Sequence, residues 1–376
     1  MHSNKSAKKR IDNNNIRKMK NILNYLIGVI FIGLLIFPVN IVYSGNKDRS
    51  GQAGASELLI NPWARSSGWG GVNTASVRGL ESMYNNIAGL AFTERSEIIF
   101  SNTQWLKGSD INIMSFGFAQ RIGESGVLGL SIMSMSFGDI EVTTYDHPDP
   151  SEGSIGTFSP SMMNINIGYA KTFSNSIYGG INIKIISENI SDVSAQGIAI
   201  DAGIQYVTGA TENIKFGIAL KNIGPTMSFS GDGMSFRGII PAHNNDNDQF
   251  TVEQRSAEFE LPALLNIGAA YDFNINENHK LTLAGNFTSN SFTKDQFIFG
   301  AEYRLKTYLM LRAAYTYEEG ITNSADRTTV FTGPSGGITV QVPLNKEKGT
   351  NFSVDYSYRA TNPFSGTHSI GARISL

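Results

Sequence analysis

The sequence predicts an all-β chain: a 14-stranded antiparallel transmembrane β-barrel with a short amino-terminal plug, or hatch. Three observations carry this. Fourteen short segments between residues 96 and 376 alternate apolar and polar side chains. The connections between them alternate long and short. A basic, then apolar, leader precedes them. A strand with lipid on one face and water on the other must alternate, and only a closed barrel crosses a bilayer with every strand's backbone polar groups paired.

The leader spans residues 1–44. Lys5, Lys8, Lys9, Arg10, Arg17, Lys18 and Lys20 stand against one acid, Asp12, and an apolar run follows from Ile22 to Val42. Val42 and Ser44 fit the −3 and −1 positions of a cut before Gly45. These are the three regions of a secretory signal peptide. Its removal leaves 23 Lys+Arg against 31 Asp+Glu, a formal charge of −8. An acidic chain of this kind is a poor nucleic-acid binder, because phosphate neutralisation needs clustered cations. There is no cysteine, which excludes a lipoprotein anchor, thiolate metal sites and disulfides.

Residues 45–95 form a linker and hatch. Residues 45–56 are polar and Gly-rich. The stretch that follows does not alternate. Residues 79–91 place Met83, Ile87 and Leu90 on one face of a short helix. A segment this small cannot bury a core of its own, so it fits as a filling for the barrel mouth. Trp63, Trp69 and Trp105 flank it, where interfacial anchoring is the plain expectation.

The barrel occupies 96–376. Strands are expected near 96–106, 111–121, 126–137, 161–172, 176–187, 196–206 and 213–222, then 258–273, 279–289, 295–304, 307–317, 335–344, 350–360 and 366–376. In the sixth, Ile198, Ile200, Ala202, Ile204 and Tyr206 oppose Ala199, Asp201, Gly203 and Gln205. In the last, Ile370, Ala372, Ile374 and Leu376 oppose Ser369, Gly371, Arg373 and Ser375. A one-residue slip would turn the charges into lipid. Connections after odd-numbered strands include the long 138–160, 223–257 and 318–334. Those after even-numbered strands are all short. Outer-membrane barrels have short periplasmic turns and long external loops, so both mature termini are expected in the periplasm.

The most specific stretch is Ala64-Arg65-Ser66-Ser67-Gly68-Trp69-Gly70-Gly71, followed by Asn85-Asn86-Ile87-Ala88-Gly89-Leu90-Ala91. It resembles the amino-terminal signature of the PorV/PorQ family, which is related in fold to the FadL-type transporters. The matching positions are Arg65, Gly68, Gly70, Gly71, Asn86, Gly89 and Leu90; Ile87 stands where the family has proline. The resemblance implies a fourteen-stranded barrel in the outer membrane. It implies as partners membrane lipid and either a type IX translocon subunit or the carboxy-terminal signal of secreted cargo.

Other motifs carry little chemistry. Gly68-Trp69-Gly70-Gly71 lacks the Lys-Ser/Thr of a phosphate loop. His2, His147, His243, His279 and His368 are scattered, so no metal site is called for. The oxygen-rich run 243–248 lacks the Gly and terminal Glu of a calcium loop. No nucleophile elbow is present, and neither catalysis nor a cofactor is expected. Lys184, Asp201, Lys215, Glu302, Arg304, Arg312, Asp355, Arg359 and Arg373 point inward on the alternation, as ion pairs in a wet lumen. Met133, Met135, Met162, Met163, Met227 and Met234 fall near the expected external ends, as adaptable contact surface. In the longest connection, Phe229, Met234, Phe236, Ile239 and Ile240 are more apolar than a solvated loop requires, which marks them as candidate recognition residues. Two functions follow from the reading: a docking or shuttle component for type IX secretion, or a FadL-like transporter of hydrophobic small molecules.

Overall fold

The computed structural model describes residues 47–149, 153, 155–239, 249–345, 347 and 349–376. The expected leader, the 243–248 run and Ile240 lie outside the described residues.

Fourteen antiparallel strands close on themselves. They are β1 (Ser96–Trp105), β2 (Ile111–Ile122), β3 (Gly126–Ser136), β4 (Ser161–Thr172), β5 (Ile177–Ile190), β6 (Val193–Thr208) and β7 (Ile214–Ile223). The second half holds β8 (Leu264–Asn276), β9 (His279–Asn290), β10 (Gln296–Leu305), β11 (Leu309–Tyr317), β12 (Phe331–Asn345), β13 (Thr350–Thr361) and β14 (Thr367–Ser375). Each pairs with its chain neighbours. β1 pairs with β14 from Glu97↔Ser375 to Gln104↔His368, which leaves no open edge. Each strand is about the length a tilted membrane strand needs.

The faces follow the alternation. Ile198, Ile200 and Ile204 of β6 point outward, about half exposed, while Ala199, Asp201 and Gln205 between them are buried. In β5 Ile181, Ile183 and Ile185 are outward, and Asn182 and Lys184 are inward and fully covered. The apolar face is therefore the outer one, the reverse of a soluble domain. A polar interior and a lipid-facing belt follow.

Several strand boundaries differ from expectation, among them the start of the twelfth strand, at Phe331 rather than 335. The eighth strand starts at Leu264, not 258. Pro262 lacks a ladder N–H, and the preceding residues turn to other partners: Met227 bridges Phe259, and Ala53 bridges Glu260. β5 and β6 run on to a turn of only Ser191 and Asp192, with Ser191 at φ 50°. Polar Ser187 and Glu188 ended the apolar alternation early, but they belong to the ladder.

Two further ribbons stand at the long-loop end. Ser235–Ile239 pairs with Gln249–Glu253, and Ile140–Glu141 with Thr157–Phe158. Residues Phe229–Ser230 add a short third partner to β6.

The amino-terminal segment folds as short turns of helix: Ser56–Leu59, α1 (Ala64–Gly68), Val72–Ala75, α2 (Ser82–Asn85) and Ile87–Phe92. The expected single helix over 79–91 is broken at Asn86, whose extended backbone (φ −149°) separates α2 from the next turn. Met83, Ile87 and Leu90 still share one apolar cluster, together with Trp63, Leu80 and Tyr84. Wall residues Ile99, Ile113, Val127 and Met133 complete that cluster from β1, β2 and β3. The segment thus occupies the lumen.

Nine wall strands meet it through an inward-facing glycine. A Cβ on Gly117 would lie 2.7 Å from Leu80, on Gly168 2.7 Å from Ile87 and on Gly217 2.4 Å from the Thr74 carbonyl. The others are Gly129, Gly203, Gly268, Gly300, Gly337 and Gly371. Omitting a side chain at one level of nine of the fourteen strands is what lets a second layer of chain fit inside.

Candidate functional site

The segment is tied to the wall by polar bonds as well as by packing. Glu81 sits at the centre. One of its oxygens takes a 2.7 Å bond from Arg373 of β14, and the other accepts from Ser66 at 2.6 Å. Arg373 reaches Glu97 of β1 at 3.2 Å, and Glu97 accepts from the Leu80 backbone N–H at 2.7 Å. Asn73 donates to Ser66 at 2.9 Å, and Asn85 donates to Asn73. Glu81, Glu97, Ser66 and Asn73 are all buried. Removing one partner of a buried pair costs about 3–5 kcal/mol, because the other charge is stranded.

The resemblance residues fall within this arrangement. Arg65 leaves α1 to meet Asp355 of β13 at 3.0 Å and Ser353 at 3.1 Å. Asn86 donates to the Thr74 carbonyl at 2.9 Å and to the Ile204 carbonyl of β6 at 3.1 Å, while its oxygen caps the Ala88 N–H. Gly70 (φ 61°) and Gly71 (φ 80°) make the left-handed turn after α1. Gly68 lies against Gly337 and Ser357, Gly89 against the Val77 carbonyl, and Leu90 is buried against Gly129.

The segment separates two cavities. One, of 360 Å³, lies at the short-turn end, where Thr307, Gly349, Asn351 and Leu376 line it together with Trp69, Arg78 and Glu81. The other, of 190 Å³, lies toward the long loops and is lined by Asn85, Lys221, Asn266, Thr288, Thr316 and Arg359 among others. The first is lined mainly by polar and charged side chains, whereas the second mixes Asn, Thr, Lys221 and Arg359 with Leu59, Tyr84, Leu264, Ile298 and Phe331.

The inward charges pair off. Lys184 meets Asp201 at 2.8 Å, Arg312 meets Glu302 at 2.6 Å and Lys215 meets Asp272 at 2.7 Å. Arg359 stacks 3.5 Å over the Phe331 ring. Lys221 donates to the Tyr84 carbonyl at 2.6 Å. Lys221 falls on the inward face that the alternation gives it, but Glu81, Glu97, Asn73 and Asp272 escaped the sequence reading. Inward alternation could have found the wall members, but nothing periodic flags Glu81 or Asn73.

Glu57 is the unusual member. It is 1% exposed and lies beside Glu188, with no cation paired to it among the described residues. Burial, and next the charge of Glu188, push its carboxyl up to about 8.

Two expectations are corrected. Trp63 and Trp69 are not interfacial anchors; both are buried inside the barrel, in separate apolar clusters. Met133, Met135 and Met227 are not adaptable surface either, for they face inward and are at most 5% exposed. Both residue types were read from chain position alone, which does not tell lumen from rim.

The candidate recognition residues divide. Phe236 and Ile239 are 55% and 57% exposed on the ribbon. Met234 is half-buried beside it. Phe229 instead packs on Phe259 at 5.6 Å, against the buried Met227 cluster.

Comparison with known proteins places this architecture. No curated protein matches the chain. A solved monoaromatic hydrocarbon channel, CymD, superposes with a TM-score of 0.50 at 13% identity, covering 84% of this chain and 97% of that one. The Pseudomonas putida toluene transporter TodX has a TM-score of 0.49 at 12% identity, over 80% and 94% of the two chains. At such identity the likeness is one of fold. Residues 151–374 match a family described as type IX secretion system membrane protein PorP/SprF. That is more than half of the chain, and it includes eleven of the fourteen strands. The chain belongs to the PorP/SprF family of type IX secretion membrane proteins, built as an outer-membrane β-barrel.

Proposed function

We propose that this protein is a closed, non-enzymatic docking component of type IX secretion. In this reading the long-loop rim receives a translocon subunit or the carboxy-terminal signal of secreted cargo. The leader is removed, the segment 56–93 is a permanent plug, and both mature termini face the periplasm. The resemblance of that segment to PorV/PorQ supports a shared way of filling the barrel.

One observation carries the reading. The lumen is filled by chain that is bonded to the wall on several sides, while large apolar side chains stand exposed on a rim ribbon. A conduit for hydrophobic molecules needs an apolar path, and the cavity at the short-turn end is walled mainly by Arg, Lys, Glu, Asn and Thr, although the one toward the long loops also carries Leu59, Leu264, Ile298 and Phe331. The FadL-like alternative therefore keeps the fold but meets a charged cavity at the short-turn end.

The test is Phe236→Ser with Ile239→Ser in the native membrane. A deletion from 227 would be too blunt, since Met227 and Phe229 hold the inner cluster. The double variant should keep normal heat-modifiability on gels and normal abundance. Secretion of type IX cargo, measured in the culture supernatant, should fall several-fold. Unchanged secretion would show that the ribbon is only a cover.

A further inference from the structure

The charges around the short-turn cavity are unevenly distributed. On the β14 side one arginine serves two acids, since Arg373 meets both Glu81 and Glu97. Arg65 and Asp355 pair singly. On the wall of β7 to β11 the ratio reverses. Lys215 and Lys280 share the one carboxylate of Asp272, each at 2.7 Å. Arg304 and Arg312 share the one carboxylate of Glu302, at 3.4 and 2.6 Å. Four cations thus stand on two acids within five adjacent strands.

The register sharpens the imbalance. Lys280 of β9 and Arg304 of β10 are direct cross-strand partners, and both line the cavity. Like charges directly opposite on a strand pair repel. Arg304 is poorly compensated: its Glu302 contact is long, at 3.4 Å, and its Nε is buried without a hydrogen-bond partner among the described residues. From the amino-terminal segment Arg78 lines the same cavity. It stacks 4.5 Å over Phe92, and among the described residues no carboxylate lies within ion-pair distance of it.

A cross-strand pair of cations facing a polar cavity, with a further free guanidinium on the layer opposite, is a receptor for negative charge. Guanidinium groups suit planar or tetrahedral oxyanions, which accept two parallel N–H bonds. We infer that the short-turn cavity binds an oxyanion of the carboxylate or phosphate class, held by Lys280 and Arg304 and approached by Arg78. The cavity of 360 Å³ has room for such a group and a few residues of an attached chain. The inference is independent of the docking reading, because it concerns the opposite end of the barrel.

Trp69 lines the cavity and supplies an optical signal. The full chain, purified in detergent, is titrated with inorganic phosphate while chloride holds the ionic strength constant. A parallel titration uses a short peptide with a free carboxy terminus, and a third uses the same peptide amidated. The expected result is a saturable change in tryptophan emission with phosphate, with the free-acid peptide, or with both, and none with the amide. Phosphate alone would identify a free anion as the ligand, and the free-acid peptide alone a chain terminus. Lys280→Gln with Arg304→Gln should weaken saturation at least ten-fold. Lys107→Gln, an exposed lysine at the long-loop end, should not.

A second readout guards against a purely structural role. In chloride buffer the double variant should unfold no earlier than wild type, because the repulsion is gone. Should the double variant fail to assemble, Arg304→Gln alone carries the same comparison. The inference is overturned by no saturable response in wild type, by equal response to the amide, or by unchanged saturation in the variants.

Discussion

At the scale of single residues, Glu57 shows most clearly what a filled lumen costs. It sits on the turn Ser56–Leu59, beside Glu188 and buried away from water. A carboxylate stripped of water and facing another acid keeps its proton, hence a value of about 8. The folded chain therefore binds that proton more tightly than the unfolded one. Such a group stabilises nothing above its ordinary value; stability drains as pH rises from about 4.5 toward 8 and then levels off. Glu57→Gln keeps the shape and removes the titration. The variant should resist unfolding better than wild type at pH 8.5, by a margin on the order of 2–4 kcal/mol, and match it at pH 4.5. Midpoints of heat-modifiability across that range would check this. A parallel pH dependence in both proteins would place the loss elsewhere. Ala199 teaches a related lesson about what a sequence conceals. Alternation turns it inward correctly, and on that ground an arginine there looks harmless. In fact its methyl is buried in the cluster of Leu58, Ile186 and Met227. Facing inward is legible in one strand, but facing chain rather than water is not.

At the scale of elements, the strands were legible because each is constrained on both faces. Lipid demands apolar residues at every second position, and most of the fourteen were placed to within about two residues. The eighth strand went wrong where Pro262 and the inward turn replaced lipid as the constraint. The amino-terminal segment was legible only as something other than a strand. Its short turns, its break at Asn86 and its bonds to distant wall residues have no period to read. The glycine level of the wall is the exception. These glycines recur at inward positions of nine strands, and their common purpose appears only once the segment is seen against them. Gly217→Val puts branched carbon where the Thr74 carbonyl lies, and backbone cannot yield as a flexible side chain would. Overpacking of this kind costs about 1–3 kcal/mol or more. The barrel should still form, with lipid-facing strands intact, but the segment should unseat. Limited proteolysis should then cut between 57 and 93 at a rate well above wild type. Gly336→Val, where a Cβ meets nothing nearer than 3.6 Å, is the matched control. Equal protection of the two variants would mean that the glycine level is incidental.

At the scale of the whole molecule, the question is whether the filling is structure or gate. The wall closes without it, since β1 and β14 pair over eight residues and every strand has two neighbours. The filling needs the wall, for its helical turns are four to six residues long and bury their apolar faces against strands. The dependence runs one way, so the segment can be removed in principle while the barrel stands. What remains would be a charged, water-filled tube, because Lys184, Asp201, Glu302, Arg312 and Asp355 all point inward. Reconstituted in planar bilayers, the wild-type chain should be electrically silent. Deleting residues 56–93 should open steps of conductance at least ten-fold above background. Glu81→Gln with Arg373→Gln breaks the central ties while keeping every residue of the segment. That variant should flicker between the two levels, as a plug held by packing alone leaves and returns. If the wild-type chain already conducts at the level of the deletion, the segment does not seal the lumen. The docking reading would then lose its main support, and passage through the barrel would have to be considered on the evidence of that current.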